Sequence, residues 1–263
     1  MSVVQTVVHK AARANMRLGL YTPRIREFCF VLGAMKSGTT TLYRYLVQHP
    51  QIAPNQFQKE PEFFSTATAP QDLRPYLRQW LPRPYGRQIA LEASTGYTKR
   101  PAFPDVAARL AALPGRKHLV YIMRNPIDRI ESHLAHNFAA REQVMPASGD
   151  WPALDHALAV SSYAMQLDAY RAALPDCPVK LLSFDQLRRD PAGMLATVCV
   201  HLDLDPGFAF TPLAPQNTRA TRADVQAFRL TQAQRDDIAT RLRPDMIRLR
   251  DDYGCDIAQW GFS

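Results

Sequence analysis

No apolar run in this sequence approaches the ~20 residues that span a bilayer, and no signal-peptide core follows Met1. A cytoplasmic chain without a transmembrane segment is therefore expected. Cysteine is scarce: Cys29, Cys177, Cys199 and Cys255 lie far apart, with no CxxC pair and no zinc spacing. Cys29 and Cys199 sit in apolar runs, where cysteine behaves as a small hydrophobe, so a reducing compartment is the simpler expectation. No cluster of histidine, cysteine and carboxylate suggests a metal. Internal repeats, low-complexity tracts and interdomain linkers are also missing, and 263 residues suit one α/β domain. Acidic residues do not balance the basic ones. The net charge of +8 favours anionic ligands without choosing between nucleotide, nucleic acid and acidic lipid. Because the basic residues are dispersed rather than gathered with aromatics on one face, a nucleic-acid-binding role is disfavoured.

What is present centres on residues 28–46, FCFVLGAMKSGTTTLYRYL. Phe28, Phe30, Val31 and Leu32 form an apolar run of strand length, Gly33 and Gly38 bracket a tight loop, and Thr39 to Leu46 has helical spacing. Strand, glycine loop and helix start together make an anion cradle, to which Lys36 adds a full charge. In the usual P-loop, GxxxxGK[ST], lysine follows the second glycine. Here Thr39 holds that position and Lys36 lies inside the loop, which suits phosphate binding and disfavours ATP or GTP hydrolysis. Ser37, Gly38, Thr39, Thr40 and Thr41 offer further amides and hydroxyls at the helix start.

The rest of the chain alternates strands and helices. Residues 3–20 read as an amphipathic helix with Val4, Val7, Val8, Ala11 and Leu18 on one face and Lys10, Arg13 and Arg17 on the other. This arm (1–27) is expected to dock on the domain (28–263), peripheral contact with an anionic membrane being the alternative. A short helix is expected near Leu73, Leu77 and Leu81 and a loop at 82–86; strands are expected at 88–92, 118–123 and 179–184. Helices are expected at 104–113, after Asn125-Pro126, over 151–174, and from Asp190-Pro191 to about Leu202. Residues 206–229 read as a loop. Thr231 and Gln234 form a capping box, and the helix behind them should break or kink at Pro244. The alternation predicts a parallel sheet covered on both faces.

Arg124, directly after the strand HLVYIM, marks a second anion site, because ligands of open α/β sheets gather beyond the carboxyl ends of strands. Ser132, eight residues on, can join it. Read without context, Arg124 could equally serve a surface ion pair. A nucleotide kinase would want a metal-binding aspartate at that strand end, and arginine there suits a phosphate instead.

Together these segments resemble the sulfotransferases that use 3′-phosphoadenosine 5′-phosphosulfate (PAPS), in particular the heparan sulfate glucosaminyl branch and its bacterial relatives. GAMKSGTTTLYRYL resembles the 5′-phosphosulfate loop and YIMRNPIDRIES the 3′-phosphate segment, which places Arg124 and Ser132 on the 3′-phosphate. KEPEFF resembles a segment whose glutamate is the catalytic base, which implies Glu60, with Lys59 beside it; IALEASTGY resembles the turn that approaches the acceptor. The resemblance implies a five-stranded parallel sheet, metal-independent sulfuryl transfer, and a small-molecule, lipid or carbohydrate acceptor. It departs at Glu62 and Ala93, where relatives carry histidine and lysine, so Lys59, Glu62, Glu92 and Ala93 are the candidate acceptor-side residues. Arg219 and Arg222 stand where relatives close a basic loop over the 3′-phosphate. Glu60 is expected to have a raised pKa, with His133 and His136 as surface residues and fallback bases.

Overall fold

The computed structural model describes residues 10, 13–15, 17–19, 25–65, 72–80, 88–141, 152–214 and 229–263. Most of the amphipathic arm, the 82–86 loop, residues 215–228, and with them Arg219 and Arg222, lie outside the described residues. Leu18, expected on the docked face of the arm, is 68% exposed.

Five parallel strands form the centre in the order β2-β3-β1-β4-β5: β1 (Glu27–Gly33), β2 (Ile52–Pro54), β3 (Ile89–Glu92), β4 (Arg116–Met123) and β5 (Val179–Ser183). Strand β2 lies on a stretch where no strand was expected. Side chains alternate across the sheet, as the strand period requires. Phe28, Phe30, Leu32, Leu119 and Tyr121 enter one core with α3 (Val106–Ala112), α4 (Pro126–Arg141), α5 (Pro152–Ser161), α6 (Tyr163–Ala173) and α9 (Gln232–Tyr253). Cys29, Val31, Val120 and Ile122 enter the other with α1 (Thr39–Leu46), α7 (Phe184–Arg189) and α8 (Pro191–His201). A single turn, α2 (Arg74–Leu77), brings Tyr76 onto the first core. Burial on both faces explains the unbroken apolar run of β4. Strand β5, expected to be buried, is an edge strand in which only Leu182 is buried.

Local signals set several boundaries. The Asn125 carboxamide oxygen accepts from the Ile127 and Asp128 amides, capping α4 before Pro126. The capping box of Thr231 and Gln234 starts α9, and Gly254 in the left-handed region ends it. The break expected at Pro244 does not occur: α9 runs 22 residues through it. Ile238, Leu242, Met246 and Leu249 pack on the core either side of the proline, and Asp245 caps α6 by accepting from the Ala164 and Met165 amides. These contacts outweigh the one helix hydrogen bond that proline removes.

Candidate active site

The carboxyl ends of β1, β3 and β4 bring three segments together: the loop after Gly33, the turn after Glu92, and Arg124. At the end of β1 the pairing with β4 slips between Val31 and Gly33, and such a bulge re-aims the chain into the loop. The loop then turns through left-handed backbone at Lys36 (φ 68°) and Gly38 (φ 88°). A Cβ on Gly38 would meet the Phe184 ring at 2.6 Å, so only glycine fits that turn. Helix α1 starts there with no side-chain cap and no acidic residue in its first turn. Its first N–H groups are thus left for a ligand, at the positive end of the helix dipole. The Ser37 hydroxyl is buried without a hydrogen bond of normal geometry, beside the Tyr163 phenol. Thr39, Thr40 and Thr41 open α1, as expected.

Arg124 leaves β4 with its guanidinium 5.4 Å from the centre of the Phe184 ring, and its carbonyl accepts from the Tyr163 hydroxyl at 2.8 Å. Phe184 therefore touches both segments, packing against Gly38 and lying under Arg124. Ser132 lies half-buried on α4, whose direction the Asn125 cap sets.

The 59–62 segment docks against the turn after β3. Lys59 Nζ reaches Thr39 Oγ1 at 3.4 Å and the Ala93 carbonyl at 3.3 Å, and it pairs with Glu60 Oε1. The Ala93 amide donates to the Lys59 carbonyl at 3.0 Å. Glu60 Oε2 accepts from the Thr95 hydroxyl at 2.8 Å and the Thr95 amide at 3.3 Å. The expectation of a raised Glu60 pKa is corrected here. Burial pushes it up, but the Lys59 ammonium and the two Thr95 donors outweigh burial and leave it below the ordinary carboxylate value. Glu62 serves the local structure: Oε1 accepts from the Gly96 amide at 2.8 Å and Oε2 from the Ser65 hydroxyl at 2.6 Å. Glu92 and Ala93, expected on the acceptor side, are 1% and 0% exposed. Burial pushes the Glu92 pKa up to about 8, and the Glu62 charge adds to this against the Tyr97 and Tyr76 phenols.

His133 is not a surface residue. It is 3% exposed, and burial, then the charge of Arg129 and the ring of His156, push its pKa down to about 2. Its neutral Nδ1 faces the Arg129 guanidinium at 3.4 Å; His136 is half-buried. Sequence reasoning missed Thr95, Phe184 and the fully buried Arg129, which donates to Ser161 Oγ and the Ala157 carbonyl and ties α4 to α5. Only the STG turn after Glu92 signalled Thr95, as a hydroxyl at a strand end.

The chain is similar in sequence and fold to known proteins. The sulfotransferase domain family model matches residues 27–208. The human heparan sulfate glucosamine 3-O-sulfotransferase 6 is 27% identical over 190 residues, covering 67% of this chain and 52% of that protein. The bifunctional heparan sulfate N-deacetylase/N-sulfotransferase 1 of Caenorhabditis briggsae is 24% identical over 203 residues, 68% of this chain and 23% of that protein. The chain thus spans about a quarter to a half of the length of these curated relatives. Among solved structures, a sulfotransferase from Alicyclobacillus acidocaldarius superposes with TM-score 0.71 at 24% identity, covering 90% of this chain and 99% of that one, which establishes the shared fold. With the family model spanning β1 to the end of α8, the chain belongs to the sulfotransferase family and is a sulfotransferase enzyme.

Proposed function

We propose that this sulfotransferase takes its sulfuryl group from PAPS and passes it to a hydroxyl or amine acceptor, with Glu60 as general base and Lys36 stabilising the departing phosphate. The observation that carries this reading is the contact of Lys59 with both Thr39 of the phosphate loop and Glu60. It joins the anion cradle to a carboxylate that takes donors from both a lysine and a threonine.

The residues fit the donor nucleotide. A helix start with uncapped N–H groups, a turn that admits no Cβ at Gly38 and the buried Ser37 hydroxyl suit a 5′-phosphate. Arg124, steadied on Phe184, with Ser132 on α4, suits a 3′-phosphate. When bound, PAPS supplies sulfur activated for in-line displacement, with the 3′,5′-bisphosphate as leaving group. The chain's own groups then do two things. Glu60 receives the proton that the acceptor hydroxyl or amine loses as its new bond to sulfur forms. Lys36 and the loop amides would stabilise the charge that grows on the phosphate oxygen as it departs. Arg219 and Arg222 complete the cofactor site in this reading.

The relatives named for heparan sulfate favour a carbohydrate acceptor. The departures at Glu62 and Ala93 from the basic residues that the family resemblance implies favour a neutral or small acceptor, a lipid or sugar hydroxyl, over a long polyanion. Radiolabelled sulfate transfer from PAPS tests this across heparan-type chains, glycolipids and small alcohols. Transfer to the neutral acceptors is expected, and efficient sulfation of heparan chains would overturn the acceptor assignment. Calorimetry with 3′-phosphoadenosine 5′-phosphate (PAP) against ATP tests the donor: preference for ATP with magnesium-dependent turnover would restore the kinase reading.

A further inference from the structure

The geometry around Lys59 points to a coupling device: we infer that Lys59 restrains Glu60 until an anion enters the phosphate loop, then turns to that anion and frees the base. The inference rests on the PAPS reading above.

An ammonium group has three hydrogens, and Lys59 Nζ has three oxygens to give them to: Thr39 Oγ1, the Ala93 carbonyl and Glu60 Oε1. One of the three belongs to the first residue of α1, so the ammonium sits on the rim of the anion cradle. The hydroxyl and carbonyl contacts, at 3.4 and 3.3 Å, are long and neutral. A phosphate or sulfuryl oxygen arriving at the start of α1 is a charged acceptor and displaces them readily, because charge-assisted hydrogen bonds are shorter and about twice as strong.

The anion then competes with Glu60 for the same charge, and the two carriers cannot follow Lys59 equally. The Lys59 backbone is tied to the end of β3 by the Ala93 amide, so the side chain moves and the main chain does not. Glu60 Oε2 is held from the other side by the Thr95 hydroxyl and amide, so the carboxylate stays in place while its ammonium partner leaves. What remains on its own side of the site is acidic. Glu62 is fixed two residues away by Gly96 and Ser65. The other cations of the assembled segments, Lys36 in the loop and Arg124 after β4, belong to the anion side. Glu60 is already pushed upward by burial and pulled down chiefly by Lys59. Removing that pull makes it a stronger base only when the sulfuryl donor is in place, and keeps it weak when there is nothing to transfer.

Nuclear magnetic resonance of the full chain labelled with carbon-13 at the glutamate carboxyls tests this, the Glu60 signal being assigned by its loss in Glu60→Gln. Without nucleotide, Glu60 should titrate below the ordinary carboxylate value. With saturating PAP its midpoint should rise by about one pH unit or more, the size of a lost contact with an opposite charge. In Lys59→Met, or Lys59→Gln if the first variant folds poorly, the midpoint should be raised from the start and indifferent to PAP. If calorimetry shows PAP bound to wild type while the Glu60 midpoint stays where it was, the coupling is overturned and the PAPS reading survives. If PAP does not bind, the PAPS reading itself falls, and the coupling with it.

Discussion

The two sides of the site use opposite materials. The side proposed for the nucleotide, at the ends of β1 and β4, is built mostly from backbone: left-handed turns at Lys36 and Gly38, a helix start without a cap, and one arginine laid on a ring. The other side, around residues 59–62 and the turn after β3, is built from carboxylates whose behaviour depends on a few neighbours. Glu60 and Glu92 show how far that goes. Glu60 meets an ammonium and two threonine donors and is held below the usual value, whereas at Glu92 burial and a second carboxylate outweigh two phenols and push it up to about 8. Backbone offers a fixed positive field, and side chains offer a tunable one.

Breaking the tunable side should have the largest effect. Glu60→Gln preserves shape and removes basicity, so turnover should fall by ~10²–10⁴ while PAP affinity, read by calorimetry, stays nearly unchanged. A matching loss of PAP affinity would show that Glu60 belongs to the nucleotide side. Breaking the fixed side should look different. Gly38→Val forces a branched side chain into a φ of 88° and against Phe184, so the variant should lose about 2 kcal/mol or more of stability. Its PAP affinity should fall with it, because the same turn aims the amides. Thermal unfolding and calorimetry together check this, and wild-type affinity in a destabilised variant would argue that the loop shape is not what binds.

A smaller and more selective effect is expected at Arg124. Arg124→Ala should weaken PAP by roughly tenfold or more, about 1.5–3 kcal/mol, and leave 5′-AMP nearly unaffected. Equal losses for both nucleotides would move Arg124 from the 3′-phosphate to a general electrostatic role.

The same contrast decides what could be read in advance. The glycine turn, the helix start behind it and the strand end before Arg124 were legible because they are local in sequence, and so were the Asn125 cap and the Thr231 capping box. The sheet followed from apolar runs, except for the three-residue β2, too short to show any period. The carboxylates were not legible, because their partners come from elsewhere in the chain. Thr95 is 35 residues from Glu60, and the phenols around Glu92 include Tyr76 from a separate turn. His133 was misplaced for the same reason: the helix α5 that buries it against Arg129 and His156 begins after residue 151. Pro244 carries a local signal for a break, and tertiary packing overrides it.

The smallest effect on transfer is expected at Glu92, and it sharpens the comparison most. With its pKa pushed up to about 8, Glu92 is largely protonated at neutral pH, so Glu92→Gln replaces one neutral group by another and turnover should change by less than about twofold. The consequence lies in stability. The folded carboxyl holds its proton up to about 8, whereas in the unfolded chain it ionises near the ordinary value of ~4.3. The unfolded state therefore binds fewer protons between those two values, and wild-type stability must fall as pH rises through that window. Its contribution is fully present below the lower value and lost above the upper one, with a slope of at most about 1.4 kcal/mol per pH unit. The carboxamide of the Glu92→Gln variant cannot ionise, so chemical denaturation should find the two proteins similar near the lower end of the window and the variant more stable near its upper end. Parallel pH profiles for both would mean that Glu92 is ionised in the fold after all, and that it belongs with Glu60 among the charged groups of the site.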